Sequence, residues 1–207
     1  MLEDAVVRKV LGAALATGGE WAEVYAEDRL SHNIRLEDRR VEELVTGRDR
    51  GAGVRVVKGT ASAYAYTNRL DTDALLEAAR VAAAALREPP AAQVADLRRR
   101  EPGVRHPVAV DPAGVQRTTL AELVRRADDA ARGYDPAVAQ VTAAYGDVRQ
   151  QVMIANSEGF STLEDRVRTR LVVQVVAVRD GVVQTGFDGP GHLLGRAAER
   201  AVAMLDS

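Results

Sequence analysis

The chain has 207 residues and a mass of 22.2 kDa, which fits one large domain or two intimate ones. Its 28 basic and 30 acidic residues give a formal net charge of −2, which argues against a protein that coats nucleic acid or an anionic membrane. Cysteine is absent, which excludes disulfides, a thiolate nucleophile and a thiolate-bound metal. With an acidic start and no apolar run of eighteen residues, the sequence predicts a soluble cytoplasmic protein.

The first part of the chain predicts a helix, several strands and a second helix. Apolar residues at helical spacing from Leu2 to Ala14 predict a helix that ends at Gly18-Gly19. The alternation from Trp21 to Glu27 then predicts a half-buried strand. Further strands are predicted at 32–36, 41–45, 54–58 and 61–67, with a turn at Lys58-Gly59, and a helix capped by Asp71 covers 74–86. Because these strands follow one another closely, antiparallel pairing is favoured.

The second part repeats this plan after a proline-rich stretch. Five of the seven prolines lie between Glu88 and Gln116, which predicts a linker there. An apolar stripe from Leu120 to Ala131 predicts a third helix. Strands are expected at 138–145, 148–155, 167–178 and 182–187, with Asp180-Gly181 as the hairpin turn of the last two, and a final helix at about 193–205.

The order of elements predicts an α+β fold with mainly antiparallel sheets and flanking helices. The predicted domain organisation is a helix-sheet-helix half at 1–88, a Pro-rich linker at 89–117 and a second helix-sheet-helix half at 118–207. The shared plan is compatible with a duplication, but the sequence contains no residue-level repeat.

Two segments resemble phosphate-binding motifs but fail on spacing or context. The glycines from Gly47 to Gly53 are followed by Val56 where a dinucleotide fingerprint needs glycine, and they lead into a strand. We therefore expect a tight bend that lets a strand begin close to a neighbouring backbone. The basic run at 96–101 is bracketed by acids, which indicates a solvated loop.

No catalytic group is singled out by the residues alone. The neighbouring carboxylates Glu42-Glu43 and Asp128-Asp129 point to different faces, which is typical of surface charge. Ser157 and Ser161 lack a nucleophile-elbow context, and Asn156-Ser157-Glu158-Gly159 is expected to be a turn. The three histidines are far apart in sequence and are each expected to be surface residues rather than ligands: His32, His106 and His192. The predicted catalytic, cofactor-binding and metal-binding residues are therefore none.

Several segments, in this order, resemble the TldD/PmbA family of zinc metallopeptidases, also described as modulators of DNA gyrase. They are Gly19-Glu20-Trp21-Ala22-Glu23-Val24-Tyr25-Ala26-Glu27, Arg50-Gly51-Ala52-Gly53-Val54-Arg55-Val56-Val57, Ala63-Tyr64-Ala65-Tyr66-Thr67, Val152-Met153-Ile154-Ala155-Asn156-Ser157-Glu158-Gly159, Arg166-Val167-Arg168-Thr169-Arg170 and Gln184-Thr185-Gly186-Phe187-Asp188-Gly189-Pro190-Gly191. The resemblance covers essentially the whole chain and favours the TldD branch.

The resemblance implies a zinc site in a C-terminal domain, on a His-Glu-x-x-x-His helix. No His-Glu pair occurs in this chain, because Asn33, Pro107 and Leu193 follow the three histidines. The expectation is therefore a TldD-like N-terminal region, a fragment or a truncated relative, without the catalytic domain and inactive alone. Zinc is expected only in the full-length family.

The resulting hypothesis is a non-catalytic scaffold and substrate-access region of a peptidase that degrades unfolded peptides, with a TldE/PmbA-like partner subunit. The alternative is a stand-alone protein- or peptide-binding module without peptidase activity. Contact with nucleic acid is disfavoured by the charge.

Overall fold

The computed structural model of the chain describes residues 1–86, 94–102, 111 and 114–189. Within them the helices are α1 (Asp4–Leu15), α2 (Thr72–Ala84) and α3 (Arg117–Arg132). The strands are β1 (Trp21–Glu37), β2 (Arg40–Lys58), β3 (Ala61–Thr67), β4 (Arg98–Arg100), β5 (Val138–Asn156), β6 (Phe160–Arg179) and β7 (Val182–Asp188). The helix predicted at 193–205 lies outside the described residues.

Four strands are longer than the alternating patterns predicted. β1, β2 and β5 each join two segments that the sequence separated, because the intervening polar residues and glycines are also extended. The bend predicted at Gly47–Gly53 is therefore wrong, although Gly51 does approach a neighbouring backbone. A Cβ on Gly51 would lie 2.7 Å from the carbonyl oxygen of Thr67, which explains the glycine there.

The sheet is mostly antiparallel, which confirms the predicted α+β class. Neighbouring strands follow the order β3-β2-β1-β5-β6-β4, and β7 also pairs with β6. The β2–β3 and β6–β7 pairs are antiparallel, whereas β4 pairs with β6 in parallel. Strands β1 and β5 run in opposite directions, since Ala22 at the start of β1 is bonded to Ser157 just after the end of β5, and Glu37 at the end of β1 is bonded to Gln140 near the start of β5.

The hairpin turns follow local chemistry. Asp180 and Gly181 both have positive φ and join Arg179 to Val182, which confirms that predicted turn. The other predicted turn is wrong by one position, because Lys58 pairs with Ala61 and the turn residues are Gly59 and Thr60. The reason is that Gly59 is the residue that takes the left-handed conformation, with φ of 52°.

The described residues form two compact units, each assembled from separate stretches of chain. Unit 1 takes those in Met1–Leu30, Arg48–Pro107 and Gln150–Arg166, and unit 2 takes those in Ser31–Gly47, Val108–Arg149 and Val167–Ser207. This grouping differs from the predicted halves 1–88 and 118–207, because the long strands contribute segments to both units. The division into domains at 1–88 and 118–207, with a linker at 89–117, stays a prediction.

Unit 1 buries helices α1 and α2 against one face of its sheet. The apolar stripe of α1, including Val7, Val10 and Leu11, packs with Leu75 of α2 and Val24 of β1. On β1 the even-numbered residues point into this core, which leaves Trp21, Glu23, Tyr25 and Glu27 on the opposite face.

Unit 2 has its own core beneath helix α3. Leu120 and Val124 of α3 pack on Ile34 and Leu36 of β1 and on Val141 of β5. Additional members of this core come from β5 and β6: Ala143, Tyr145, Val173 and Val175. Each unit therefore pairs one sheet face with helices, as an amphipathic helix on a half-buried sheet requires.

Candidate functional site

His32 is paired with a buried carboxylate in unit 2. Its Nδ1 lies 2.8 Å from Asp147 Oδ1, with the histidine side chain 15% exposed and the aspartate 2% exposed. The expectation that His32 is a surface residue is therefore wrong. Strand pairing brings the two side chains together across 115 positions of sequence, a distance at which local pattern carries no information.

The other carboxylate oxygen of Asp147 is buried and has no hydrogen-bond partner at bonding geometry among the described residues. Tyr145 lies two positions earlier on the same face of β5 and is itself buried. Burial raises the pKa of Tyr145 first, and the charge and hydrogen-bonding capacity of Asp147 raise it further. The phenol therefore stays protonated and is suited to hold a carboxylate in place rather than to act as a base.

The described residues do not fit a catalytic metal. They contain no group of three His, Cys, Asp or Glu side chains arranged to hold an ion. Of the three histidines only His32 lies among them, and Asp147 already engages its Nδ1. His106 and His192 lie outside the described residues.

Ser157 serves the structure of a strand connection. Its Oγ accepts from the Ala22 backbone N–H at 3.0 Å, and its own N–H donates to the Ala22 carbonyl at 2.9 Å. In the same turn Asn156 Oδ1 accepts from two backbone N–H groups, and Gly159 has φ of 88°. This confirms the predicted turn and accounts for Ser157 without a nucleophilic role.

Asp128 is an acid that the sequence analysis assigned wrongly. Its side chain is 1% exposed, and Arg132 Nε lies 3.0 Å from its Oδ2, so the prediction of ordinary surface charge is wrong. Burial lowers the pKa of Arg132, but hydrogen bonds to Asp38 and Asp128 outweigh it and the net pKa is raised. Arg132 thereby ties α3 to the turn that joins β1 and β2, at 2.7 Å from Asp38.

The prediction of a solvated loop for the basic run at 96–101 is also wrong. Arg98–Arg100 form the short strand β4 and pair with Phe160–Thr162, so this stretch is not a solvated loop. The three arginines remain exposed, and Arg99 lies 3.1 Å from Asp4. Backbone pairing with β6 overrides the weak strand propensity of the sequence. Glu42 and Glu43 lie in an exposed part of β2, as expected of surface charge.

A polar network that the sequence did not single out lies on the open face of the unit 1 sheet. The Tyr25 hydroxyl donates to Glu27 Oε2 at 2.6 Å, and Gln150 Nε2 donates to the same oxygen at 2.7 Å. The hydrogen bond from Tyr25 is the largest cause of the lowered pKa of Glu27. Burial, followed by the same hydrogen bond, raises the pKa of Tyr25 to about 12. The sequence signal that could have revealed this pair is the two-residue spacing of Tyr25 and Glu27, which places both side chains on one face of a strand.

A groove lies between β3 and α2 in unit 1. It has a volume of about 440 Å³, and Asp73, Glu77 and Val81 form one column of α2 along it, because residues four apart share a helix face. On the opposite wall, Ala65 and Thr67 of β3 face α2, because they pair with the core residues Val54 and Ala52. β3 pairs with β2 on one side and begins the strand order, so no described strand pairs with its outer edge.

Two family models match the sequence. The PmbA/TldA metallopeptidase domain 1 matches residues 22–86, and the PmbA/TldA metallopeptidase central domain matches residues 110–205. A metalloprotease TldD homolog from Haemophilus influenzae is 27% identical over 184 residues, which cover 85% of this chain and 37% of that protein.

Solved structures share the fold. A protein named as a modulator of DNA gyrase from Bacteroides thetaiotaomicron has a TM-score of 0.73 at 15% identity, covering 97% of this chain and 48% of its own. TldE from Thermococcus kodakarensis has a TM-score of 0.72 at 16% identity, covering 97% and 47%. The chain thus spans about half the length of these structures. No helix among the described residues is long and apolar enough to cross a membrane.

Proposed function

Because the chain belongs to the TldD/PmbA family, we propose that it is the non-catalytic scaffold and substrate-access region of a TldD-like zinc metallopeptidase that degrades unfolded peptides. The observation that carries the proposal is the match to both the first and the central family domains. The described residues contribute the pair His32–Asp147 but no group of three side chains placed to hold an ion. In this proposal the zinc ligands belong to a part of the enzyme outside these residues.

The chain's own residues would contribute walls and contacts. Polar groups on the open sheet face of unit 1 and the outer edge of β3 are suited to extended polypeptide, which binds through backbone hydrogen bonds and alternate side chains. A TldE-like subunit is the partner that fits the family, and absent cysteine is in keeping with a cytoplasmic site.

Zinc binding and peptide cleavage by the purified 207-residue chain test this proposal. We expect no stoichiometric zinc at sub-micromolar affinity in a calorimetric titration, and no release of fluorescence from a labelled unfolded protein. A matched titration of His32→Ala checks that any residual zinc affinity is not due to this histidine. Chelator-sensitive cleavage together with stoichiometric zinc would contradict the proposal.

Partner contact separates this function from that of a stand-alone module. The chain is mixed with a TldE-like subunit, and complex formation is measured by analytical ultracentrifugation. A stable complex supports the subunit role. Peptide binding without any affinity for that subunit would favour the stand-alone module.

A further inference from the structure

The groove between β3 and α2 has the features of a strand-addition site. The outer edge of β3 carries backbone N–H and C=O groups that no described strand satisfies, and α2 runs beside it. An extended peptide placed along this edge would bond to β3 and turn every second side chain toward α2. The apolar part of the groove is formed by Val81, which is 55% exposed, and by Ala65, Ala74 and Ala78.

The charge along the α2 column selects the occupant. Asp73 has no ion-pair partner among the described residues, and Glu77 makes only an exposed contact with Arg80 at 3.4 Å. The basic residue of the groove, Arg69, is already bonded to Asp71 at 2.9 Å. The rim is therefore acidic, and a basic side chain complements it.

The spacing of the column matches an extended chain. Positions four apart on a helix are separated by a rise of about 6 Å. Two residues of a strand span about 6.6 Å. A basic side chain near Glu77 and an apolar side chain near Val81 would thus belong to positions i and i+2 of one peptide.

We propose that this groove binds an extended peptide as an added strand on β3, with a Lys or Arg side chain against Asp73 and Glu77 and apolar side chains along Val81. This rests on the proposed function, since it names where that region would take hold of unfolded polypeptide. The proposal applies equally to a peptide that runs parallel or antiparallel to β3.

The probe is a fluorescent, acetylated and amidated peptide of sequence Ser-Lys-Thr-Val-Ser-Val-Thr, titrated with the full 207-residue chain. Its Lys and Val side chains share one face. Two further versions of the peptide carry backbone N-methyl groups. In one version they are on the Lys and the two Val residues, and in the other they are on the two Thr residues and the second Ser. We expect one version to lose at least about tenfold in affinity and the other to bind normally, because only one set of N–H groups faces β3.

Surface variants identify the groove. Val81→Arg should abolish binding, and Asp73→Lys should weaken it about fivefold while improving binding of a peptide with Glu in place of Lys. Matched controls are Val183→Arg in β7, where valine is 58% exposed, and Glu43→Lys in β2. Both should leave binding unchanged. Circular dichroism verifies that each variant is folded.

Equal affinity of the two N-methylated peptides, or unchanged binding by Val81→Arg, would overturn the inference. So would a self-associated wild-type chain that Val81→Arg converts to monomer without any peptide binding, because the occupant is then a second copy. Zinc-dependent cleavage would contradict the proposed function yet leave the N-methylation pattern intact. Loss of that pattern leaves the zinc result unchanged, so the two failures are distinguishable.

Discussion

Single residues decide how the buried charges in this chain are held. Asp147 and Asp128 are both buried, and each is matched with a cationic or titratable partner, His32 or Arg132. A buried carboxylate without such a partner would lower the free energy of unfolding. This explains why the buried acid on β5 and the buried acid on α3 each lie beside a basic side chain. Tyr25 and Glu27 apply the same principle at a partly exposed position.

Replacing Tyr25 by Phe should lower the free energy of unfolding at pH 7 by about 1 to 2 kcal/mol, because the Glu27 carboxylate loses a hydrogen-bond donor. The pKa of Glu27 is lowered in the folded chain, so its contribution is present above the ordinary pKa of 4.5 and is lost as pH falls through the folded pKa. The difference between wild type and variant should therefore shrink as pH falls below 4.5 and through the lowered pKa of Glu27.

At high pH the contribution of Tyr25 to the free energy of unfolding depends on pH in the opposite direction. Its pKa is raised to about 12, so the stabilisation is present below the ordinary value of 10.0 and is lost as pH rises toward 12. Urea unfolding at a series of pH values measures both limbs. Tyr134→Phe is the control, since Tyr134 is 50% exposed and does not contribute to the pKa of Tyr25. A pH-independent difference for Tyr25→Phe would contradict this account.

At the scale of elements, strand connections carry the constraints. The turn between β5 and β6 is anchored because the Ala95 N–H donates to the Ser157 carbonyl at 2.8 Å and the Arg98 N–H donates to the Gly159 carbonyl at 2.6 Å. These bonds bring the chain leading into β4 against this turn. A stretch that the sequence assigns to a linker is thereby tied to unit 1 by backbone groups.

Gly159→Ala and Gly181→Ala form a matched pair that isolates this contact. Both glycines have similar positive φ, 88° and 81°, so alanine introduces similar backbone strain of about 1 kcal/mol at each. A Cβ on Gly159 would also collide with the Asp96 carbonyl oxygen, whereas one on Gly181 meets nothing within 4 Å. We expect Gly159→Ala to cost about 2 kcal/mol more in thermal or urea unfolding. Equal losses would show that the Asp96 segment yields at no cost.

At the scale of the whole molecule, the distribution of charge bears on the label of gyrase modulator carried by a structural neighbour. The formal net charge is −2, and many arginines are bound to acids of the same unit, as in Arg48 with Asp28 and Arg149 with Asp111. A surface of this kind has little to gain from releasing counterions of DNA.

We therefore expect the purified chain to show no salt-dependent DNA binding. The measurement is fluorescence anisotropy of a labelled duplex at about 50 mM and about 200 mM salt, where phosphate-binding proteins change affinity steeply. A strongly basic DNA-binding protein serves as the positive control. Measurable affinity that falls with a steep salt slope would contradict the expectation.

The sequence by itself determined helices α1, α2 and α3, the approximate positions of the strands other than β4, and the fold class. Helices α1 and α2 follow from apolar spacing and from the Asp71 cap, and the Asp180-Gly181 turn follows from two residues that tolerate positive φ. These signals are local, because each depends on residues within about a dozen positions. The order of short segments also sufficed for the family resemblance.

Only the tertiary structure decided which polar residues are buried together. His32 meets Asp147 and Glu27 meets Gln150 through pairing of β1 with β5, and the register of that pairing is a long-range property. The same pairing made single long strands out of segments that looked separate, because hydrogen bonds to neighbours on both sides compensate for glycine and polar residues. The groove beside β3 likewise exists only once α2 packs on the sheet face next to β3, since no local pattern specifies which helix lies next to which strand.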